Sequence, residues 1–256
     1  MKIETYRPGV PYWAELTSDD PAAARAFYRA LLGWRFTDVD AANADGAVIC
    51  ALGDSPVGVI ERAGDGQPSR WTSYLYVDDI EQTLDRIIAE GGRLVRPLRA
   101  SADGRRVATF TDPAGVVLGL FELGSAQPSV VGEPGALIWG ELITDDVEAS
   151  AAFYRAAFGW ELSSPEGPLN RRVWLVDGQR IAGLLPRPEA MAPEVPVYWD
   201  TWFGSADPDG AARLAPDLGG TVLMGPVDTE HGRISVLTDP SGAVFSVSAP
   251  ATRSPA

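Results

Sequence analysis

The sequence predicts an α+β fold of four βαβββ modules, two in each of two tandem domains. Two observations predict it. First, the chain matches itself without a gap at an offset of about 126 residues. Residues 9–36 (GVPYWAELTSDDPAAARAFYRALLGWRF) and 135–162 (GALIWGELITDDVEASAAFYRAAFGWEL) agree at half their positions. A repeat this long is a whole folding unit copied, not a short solenoid period. Second, each copy runs twice through a strand, a helix and further short strands, with the apolar period switching between two and 3.6.

In the first copy, alternation over residues 12–17 reads as a strand. Asp19 and Asp20 then offer an N-cap, and Pro21 suits a first helical position. Ala23, Phe27, Ala30 and Leu31 share a helical face, and Gly33 supplies the stop. Short strands follow at 47–52 and 57–61, turned by Gly53 and Asp54. The cycle restarts with a strand at 71–77. Asp79 caps a helix carrying Leu84, Ile87 and Ile88 on one face, which Gly91 and Gly92 end. Strands at 94–98, 105–111 and 116–122 complete the copy. The stretch GSAQPSVVGEPG, residues 124–135, is small and proline-containing, and reads as a linker. The expected domains are therefore 1–124 and 135–256, with 125–134 between them. The second copy repeats the plan with one flaw. Pro216 lies inside its last helix, expected from Pro208 toward Leu218. An interior proline costs about 3 kcal/mol, so this helix is expected to kink or end early.

A net charge of −14 argues against nucleic acid or an anionic membrane as partner, since both need a basic face. Cys50 is the single cysteine, so no internal disulfide is possible and a reducing compartment is the simplest reading. The N-terminal residues lack the apolar core of a secretory signal, and no run of about 18 apolar residues could span a bilayer. A cytoplasmic location is expected. The sequence leaves the oligomeric state open.

Several motifs occur in a fixed order in both copies: the FYRALLGW and FYRAAFGW helix ends, the YLYVDDIEQTL strand-to-helix step, and the TDPAG and TDPSG turns at Asp112 and Asp239. Together they resemble the vicinal oxygen chelate superfamily, which includes glyoxalases, extradiol dioxygenases and bleomycin-resistance proteins. The resemblance covers nearly the whole chain and is nearest to two-domain, glyoxalase-like actinobacterial proteins. It implies a curved sheet closing around a cavity, but no single reaction.

The resemblance also implies where a divalent metal would bind. The family's first His falls at Trp13 and Trp139, its second at Thr72 and Trp199, and its Glu at Gly119 and Ser246. A remaining ligand position lies near Glu61, with Pro186 as its match. Tryptophan offers no lone pair, and His231 is the only histidine. No metal and no other cofactor is expected.

Alternation places Trp13, Glu15 and Thr17 on one face of the first strand, and Trp139, Glu141 and Ile143 on the matching one. Each cavity then has an indole beside a carboxylate, with Thr72, Trp71 and Tyr74, or Trp199 and Trp202, as further walls. Such a pocket would stack an aromatic or hydrophobic small molecule, with Glu orienting a polar group. The alternative is that the tryptophans are core packing and the glutamates pair with arginine. The expected function is metal-independent binding of such a molecule, of the natural-product or antibiotic-resistance type. A metal-independent tailoring enzyme, with Glu15, Glu141 or His231 as acid or base, is the second reading. A metal-dependent dioxygenase or lyase is the third. No phosphate loop, nucleophile elbow or H-E-x-x-H is present.

Overall fold

The computed structural model describes residues 2–3, 5–39, 47–229 and 232–249. The first module comprises β1 (Pro11–Ser18), α1 (Pro21–Leu32), β2 (Arg35–Asp38), β3 (Val48–Leu52) and β4 (Ser55–Arg62). The second comprises β5 (Arg70–Tyr76), α2 (Ile80–Ala89), β6 (Arg93–Ala100), β7 (Arg106–Thr111) and β8 (Val117–Glu122). The second copy follows with β9 (Leu137–Thr144), α3 (Val147–Phe158), β10 (Glu161–Leu162), β11 (Arg172–Val176) and β12 (Gln179–Pro186). It ends with β13 (Tyr198–Gly204), α4 (Pro208–Asp217), β14 (Thr221–Thr229), β15 (Gly232–Thr238) and β16 (Val244–Ser248).

Successive modules join into one sheet. The strand order is β2-β3-β4-β1-β5-β8-β7-β6 in the first domain and β10-β11-β12-β9-β13-β16-β15-β14 in the second. The antiparallel β1–β5 and β9–β13 pairs are the seams between modules. Trp13 and Trp139 fall on equivalent strands, and Phe27 and Phe153 on equivalent helices, as the repeat predicts.

Helix ends follow the chemistry of their caps. Asp20 accepts from the amides of Ala22 and Ala23, with Pro21 in the first turn, and Asp146 accepts from Ala149. Gly33 and Gly159 both turn left-handed to stop their helices. Three expectations need correction. The buried face of α1 is Pro21, Ala24, Phe27, Tyr28 and Leu32, while Ala30 is exposed. Ile88 lies in solvent rather than on the buried face of α2. Finally, α4 neither ends early nor loses a turn: Pro216 is its penultimate residue. Only the last turn meets the proline, and the helix is about to stop there anyway.

The helix-bearing faces of the two sheets pack against each other, crosswise. Phe27, Tyr28 and Trp34 of the first module share a core with Phe203, Ala211 and Phe245 of the fourth. Leu75, Ile80 and Ile87 of the second share one with Leu142, Phe153 and Trp160 of the third. The repeated motifs sit at this junction. Tyr28 donates to Asp239 of the opposite domain at 3.2 Å, and Tyr154 donates to Asp112 at 3.1 Å. The Trp34 indole donates to Gly135 O at 2.6 Å, and Trp160 to Gly9 O at 3.0 Å. Ser73 and Thr201, equivalent in the two copies, bond to each other at 2.9 Å. The helices thus join the domains, and a pocket lined by Asp79, Thr83, Arg86 and Arg155 lies between α2 and α3. The opposite, helix-free face of each sheet carries the repeated tryptophan–glutamate pair. No helix is long and apolar enough to cross a membrane among the described residues.

Candidate functional site

On the helix-free face of the first sheet, Trp13 and Glu15 project side by side from β1, as alternation requires. Both are buried. The Trp13 indole donates to Glu15 Oε1 at 3.2 Å, and the Ser101 hydroxyl donates to the same oxygen at 2.6 Å. Arg99 reaches over from β6 to pair with Glu15 Oε2 at 3.2 Å and with Glu61 at 3.0 Å. Arg96 also pairs with Glu61. Arg105 is fully buried, with its guanidinium 3.7 Å from the centre of the Trp13 ring. It is ion-paired with Asp103 and donates to Gln127 O at 3.0 Å and Ser129 Oγ at 2.7 Å. Burial pulls its pKa down to about 10. Tyr74 stands opposite Trp13, and its ring occupies the volume that a side chain at position 119 would need. Thr72 lies opposite Glu15. This face is packed shut by its own side chains.

The second sheet has the same frame and different contents. Trp139 and Glu141 project from β9, with Trp202 and Asp200 directly opposite them on β13. Trp139 is half-buried, where Trp13 has no exposure at all. Two positions before Val107 comes Arg105. The register counterpart of Val107 is Ile234, so Arg105 is matched by Gly232, which brings no side chain over Trp139. Met224 pairs with Val236 where Arg96 pairs with Thr109. Leu185 lies opposite Ile143 where Glu61 lies opposite Thr17, so Leu185 rather than Pro186 is the match of Glu61.

Two buried carboxyls therefore face each other in the second domain. Glu141 is held by Arg171, Nε to Oε1 at 2.7 Å and Nη2 to Oε2 at 3.2 Å. Asp200 accepts from Ser246 at 2.6 Å. Burial pushes the Glu141 carboxyl up to about 7, against the pull of Arg171. Asp200 is also pushed up to about 7, mainly by burial, with the Glu141 charge adding to it. Glu141 has a cation at contact distance and Asp200 has only neutral donors. The pair's first negative charge therefore settles on Glu141, and Asp200 keeps the proton longer.

Two expected wall residues lie elsewhere. Trp71 lies opposite Leu16, on the helix side, and packs among Tyr28, Trp34 and Phe203. Trp199 lies opposite Leu142 and packs near Tyr154 and Trp160. Strand register decides this: Thr72, Tyr74, Asp200 and Trp202 take the helix-free face, so their odd neighbours cannot. The same register corrects the expected match of Thr72 from Trp199 to Asp200. Asp200 was legible two positions before Trp202, a residue already assigned to the cavity. Arg99, Arg105 and Arg171 carried no comparable signal, because they come from distant strands and loops. His231 lies outside the described residues.

The superfamily's metal does not fit these residues. In the first domain, Trp13 and Gly119 offer no donor, and Tyr74 fills the space. In the second, Trp139 offers none, Glu141 is already bound to a guanidinium, and Asp200 and Ser246 bond each other. A cation beside Arg171 would be repelled. Among the described residues, the one group of three close acidic or metal-binding side chains is Asp79, Glu81 and Glu122, near the surface. There Glu122 is engaged by Arg106 and the Ile80 amide.

A family model described as a glyoxalase-like domain matches residues 13–121 and again 141–248. The chain is 35% identical over 263 residues to the protein CFP32 of Mycobacterium tuberculosis (strain CDC 1551 / Oshkosh), covering 98% of both. It is 33% identical over 262 residues to the anthracycline biosynthesis protein DnrV of Streptomyces peucetius, covering 94% of both. Among solved structures, the Mn(II)-bound glyoxalase of Novosphingobium aromaticivorans superposes with a TM-score of 0.67 at 16% identity. The match covers 96% of this chain and 83% of that one.

Proposed function

Because the chain belongs to the glyoxalase-like family within the vicinal oxygen chelate superfamily, we propose that it binds a flat aromatic or hydrophobic small molecule without a metal, in its second domain. The observation that carries this is the half-buried Trp139 beside the Glu141–Asp200 pair, where the first domain has a sealed Trp13 under Arg105. A partly exposed indole on an otherwise buried wall offers an aromatic contact surface. The name of DnrV supports a ligand drawn from aromatic natural-product metabolism, since anthracyclines are flat fused-ring compounds.

The test is titration of intrinsic tryptophan fluorescence with 2-methylanthraquinone, before and after dialysis against a chelator. Quenching that saturates and survives chelation is expected. Loss of binding on chelation, restored by one equivalent of a divalent metal, would overturn the metal-free reading.

One observation favours a second reading, a tailoring enzyme. Two buried carboxyls face each other across β9 and β13, and burial pushes both up toward 7, a range suited to moving protons at neutral pH. In that case Glu141 holds the negative charge and Asp200 holds a proton it can deliver. The Glu141→Gln variant then separates the two readings. Binding that persists while turnover is lost marks an enzyme, and a change in affinity alone marks a binding protein.

A further inference from the structure

A cavity of about 460 Å³ opens between the domains, where α2 of the first meets the C-terminal end of α3 of the second. That is volume enough for a small metabolite. Its floor is fixed from both sides: the Gly9 amide donates to Tyr76 O at 2.8 Å, and Gly9 O accepts from the Trp160 indole at 3.0 Å. Buried Val77 and Ala157 add apolar wall. Two guanidiniums line the same space, Arg86 from α2 and Arg155 from α3. Arg86 is positioned by its own helix. Its Nη2 donates to Thr83 Oγ1 at 3.0 Å, and the buried Thr83 hydroxyl donates to Asp79 O at 2.8 Å. Among the described residues, neither arginine is ion-paired with a carboxylate. The pseudo-equivalent junction, between α1 and α4, lacks this equipment. Counted from the capping residues Asp79 and Asp207, the side chains of Gln82, Thr83 and Arg86 are matched by Gly210, Ala211 and Leu214. Arg155 is matched by Arg29, each four residues before its stop glycine, but Arg29 lies over the Phe36 ring at 5.4 Å. Leu162 stands where Phe36 does, so Arg155 has no such ring beneath it. Duplication alone therefore does not account for the polar groups that α2 brings to this cavity.

We propose that this interdomain cavity binds a small monocarboxylate, held by Arg86 and Arg155 together. The site is separate from the helix-free face of the second domain and does not depend on the stacking reading. A guanidinium presents a planar fork of donors that matches a carboxylate. In a chain of net charge −14, two such groups without a carboxylate partner in one recess make a local positive spot. Asp78 and Asp79 stand on the wall as well. Each already accepts a bond, from the Tyr76 hydroxyl at 2.9 Å and the Gln82 amide at 2.8 Å. Their charge makes a singly charged ligand a better match than a phosphate, which carries up to about two charges. The ligand touches α2 of one domain and α3 of the other, so it also clamps their junction.

The experiment uses benzoate, its neutral isostere benzamide, and phenyl phosphate. Affinities are measured by equilibrium dialysis at fixed ionic strength for the unaltered protein and for Arg86→Leu, Arg155→Ala, Arg29→Ala and Trp139→Ala, with thermal melts to confirm folding. Arg86→Leu copies the residue of the other junction. The unaltered protein should bind benzoate several-fold to about tenfold more tightly than benzamide or phenyl phosphate, and benzoate should raise the melting midpoint. Arg86→Leu and Arg155→Ala should each cut the preference over benzamide to about twofold or less. Arg29→Ala and Trp139→Ala should leave it intact, which separates this cavity from the other junction and from the second domain's indole. If benzoate is not preferred to benzamide, or if the preference survives in both Arg86→Leu and Arg155→Ala, the proposal is overturned. A preference lost in Trp139→Ala and kept in Arg155→Ala overturns the location, and tighter binding of phenyl phosphate overturns the choice of a carboxylate.

Discussion

The two domains share a frame and differ in what they do with it. In the first, the tryptophan–glutamate pair on the central strand is closed by side chains of its own chain: Arg105 over the indole, Arg99 and Ser101 on the carboxylate, and Tyr74 filling the space over Gly119. In the second, Gly232 stands in place of Arg105, Met224 in place of Arg96 and Asp200 in place of Thr72. The same duplicated motif is thus a polar core in one copy and, in the other, a pair of facing buried carboxyls beside a partly exposed indole. The lesson is that conserving the Trp and Glu across the repeat says little about their role. Their neighbours on other strands decide it.

The comparison breaks first at Arg105. It is buried, ion-paired and stacked, so Arg105→Ala should destabilise the protein by about 3–5 kcal/mol in chemical denaturation, by stranding Asp103. A loss under about 1 kcal/mol would mean the first domain is not closed by it. The interdomain staples come next. Tyr28→Phe and Tyr154→Phe each leave a buried carboxyl short of a donor, and should cost about 1–3 kcal/mol apiece. Tyr28→Phe should cost the more, because Tyr28 also accepts from the Trp71 indole at 2.7 Å, a bond the second copy lacks; a larger loss from Tyr154→Phe would contradict this.

A third prediction concerns pH. A carboxyl raised to about 7 in the folded protein binds more protons than it does unfolded, so its stabilising effect is full below its ordinary range and is lost as pH rises to about 7. Asp200→Asn removes that loss while keeping a polar group facing Ser246, with Glu141, Arg171, Trp202 and Tyr198 around it. The variant should melt a few degrees above the unaltered protein at pH 8, with the difference fading toward pH 4. A variant less stable at pH 8 would contradict a proton-holding Asp200. The smallest effect is on affinity. Trp139→Ala should weaken an anthraquinone probe several-fold to about tenfold, in keeping with the worth of a stacked aromatic contact, whereas Trp13→Phe should leave it unchanged.

Much of the fold was legible because it rests on local chemistry repeated twice. Asp20, Pro21 and Gly33 mark a helix by caps alone, and strand alternation fixes which way Trp13 and Glu15 point. The function of Tyr28 and Tyr154 was not legible: each looks like helix packing, and its partner is an aspartate in the other domain. Trp71 and Trp199 were misplaced for a related reason. A tryptophan near a strand start says nothing about face until the register with the neighbouring strand is known. Arg105 and Arg171 show the limit most plainly, since one seals an indole and the other holds a carboxylate across loops that no periodicity connects.

The claim that, of the two helix-free faces, only the second domain's offers a ligand site is tested most directly by stoichiometry. Isothermal titration calorimetry with 2-(hydroxymethyl)anthraquinone should give one equivalent per chain, weakened several-fold to about tenfold in Trp139→Ala and unchanged in Trp13→Phe. Two equivalents of similar affinity, or binding that disappears with Trp13→Phe and survives Trp139→Ala, would contradict it.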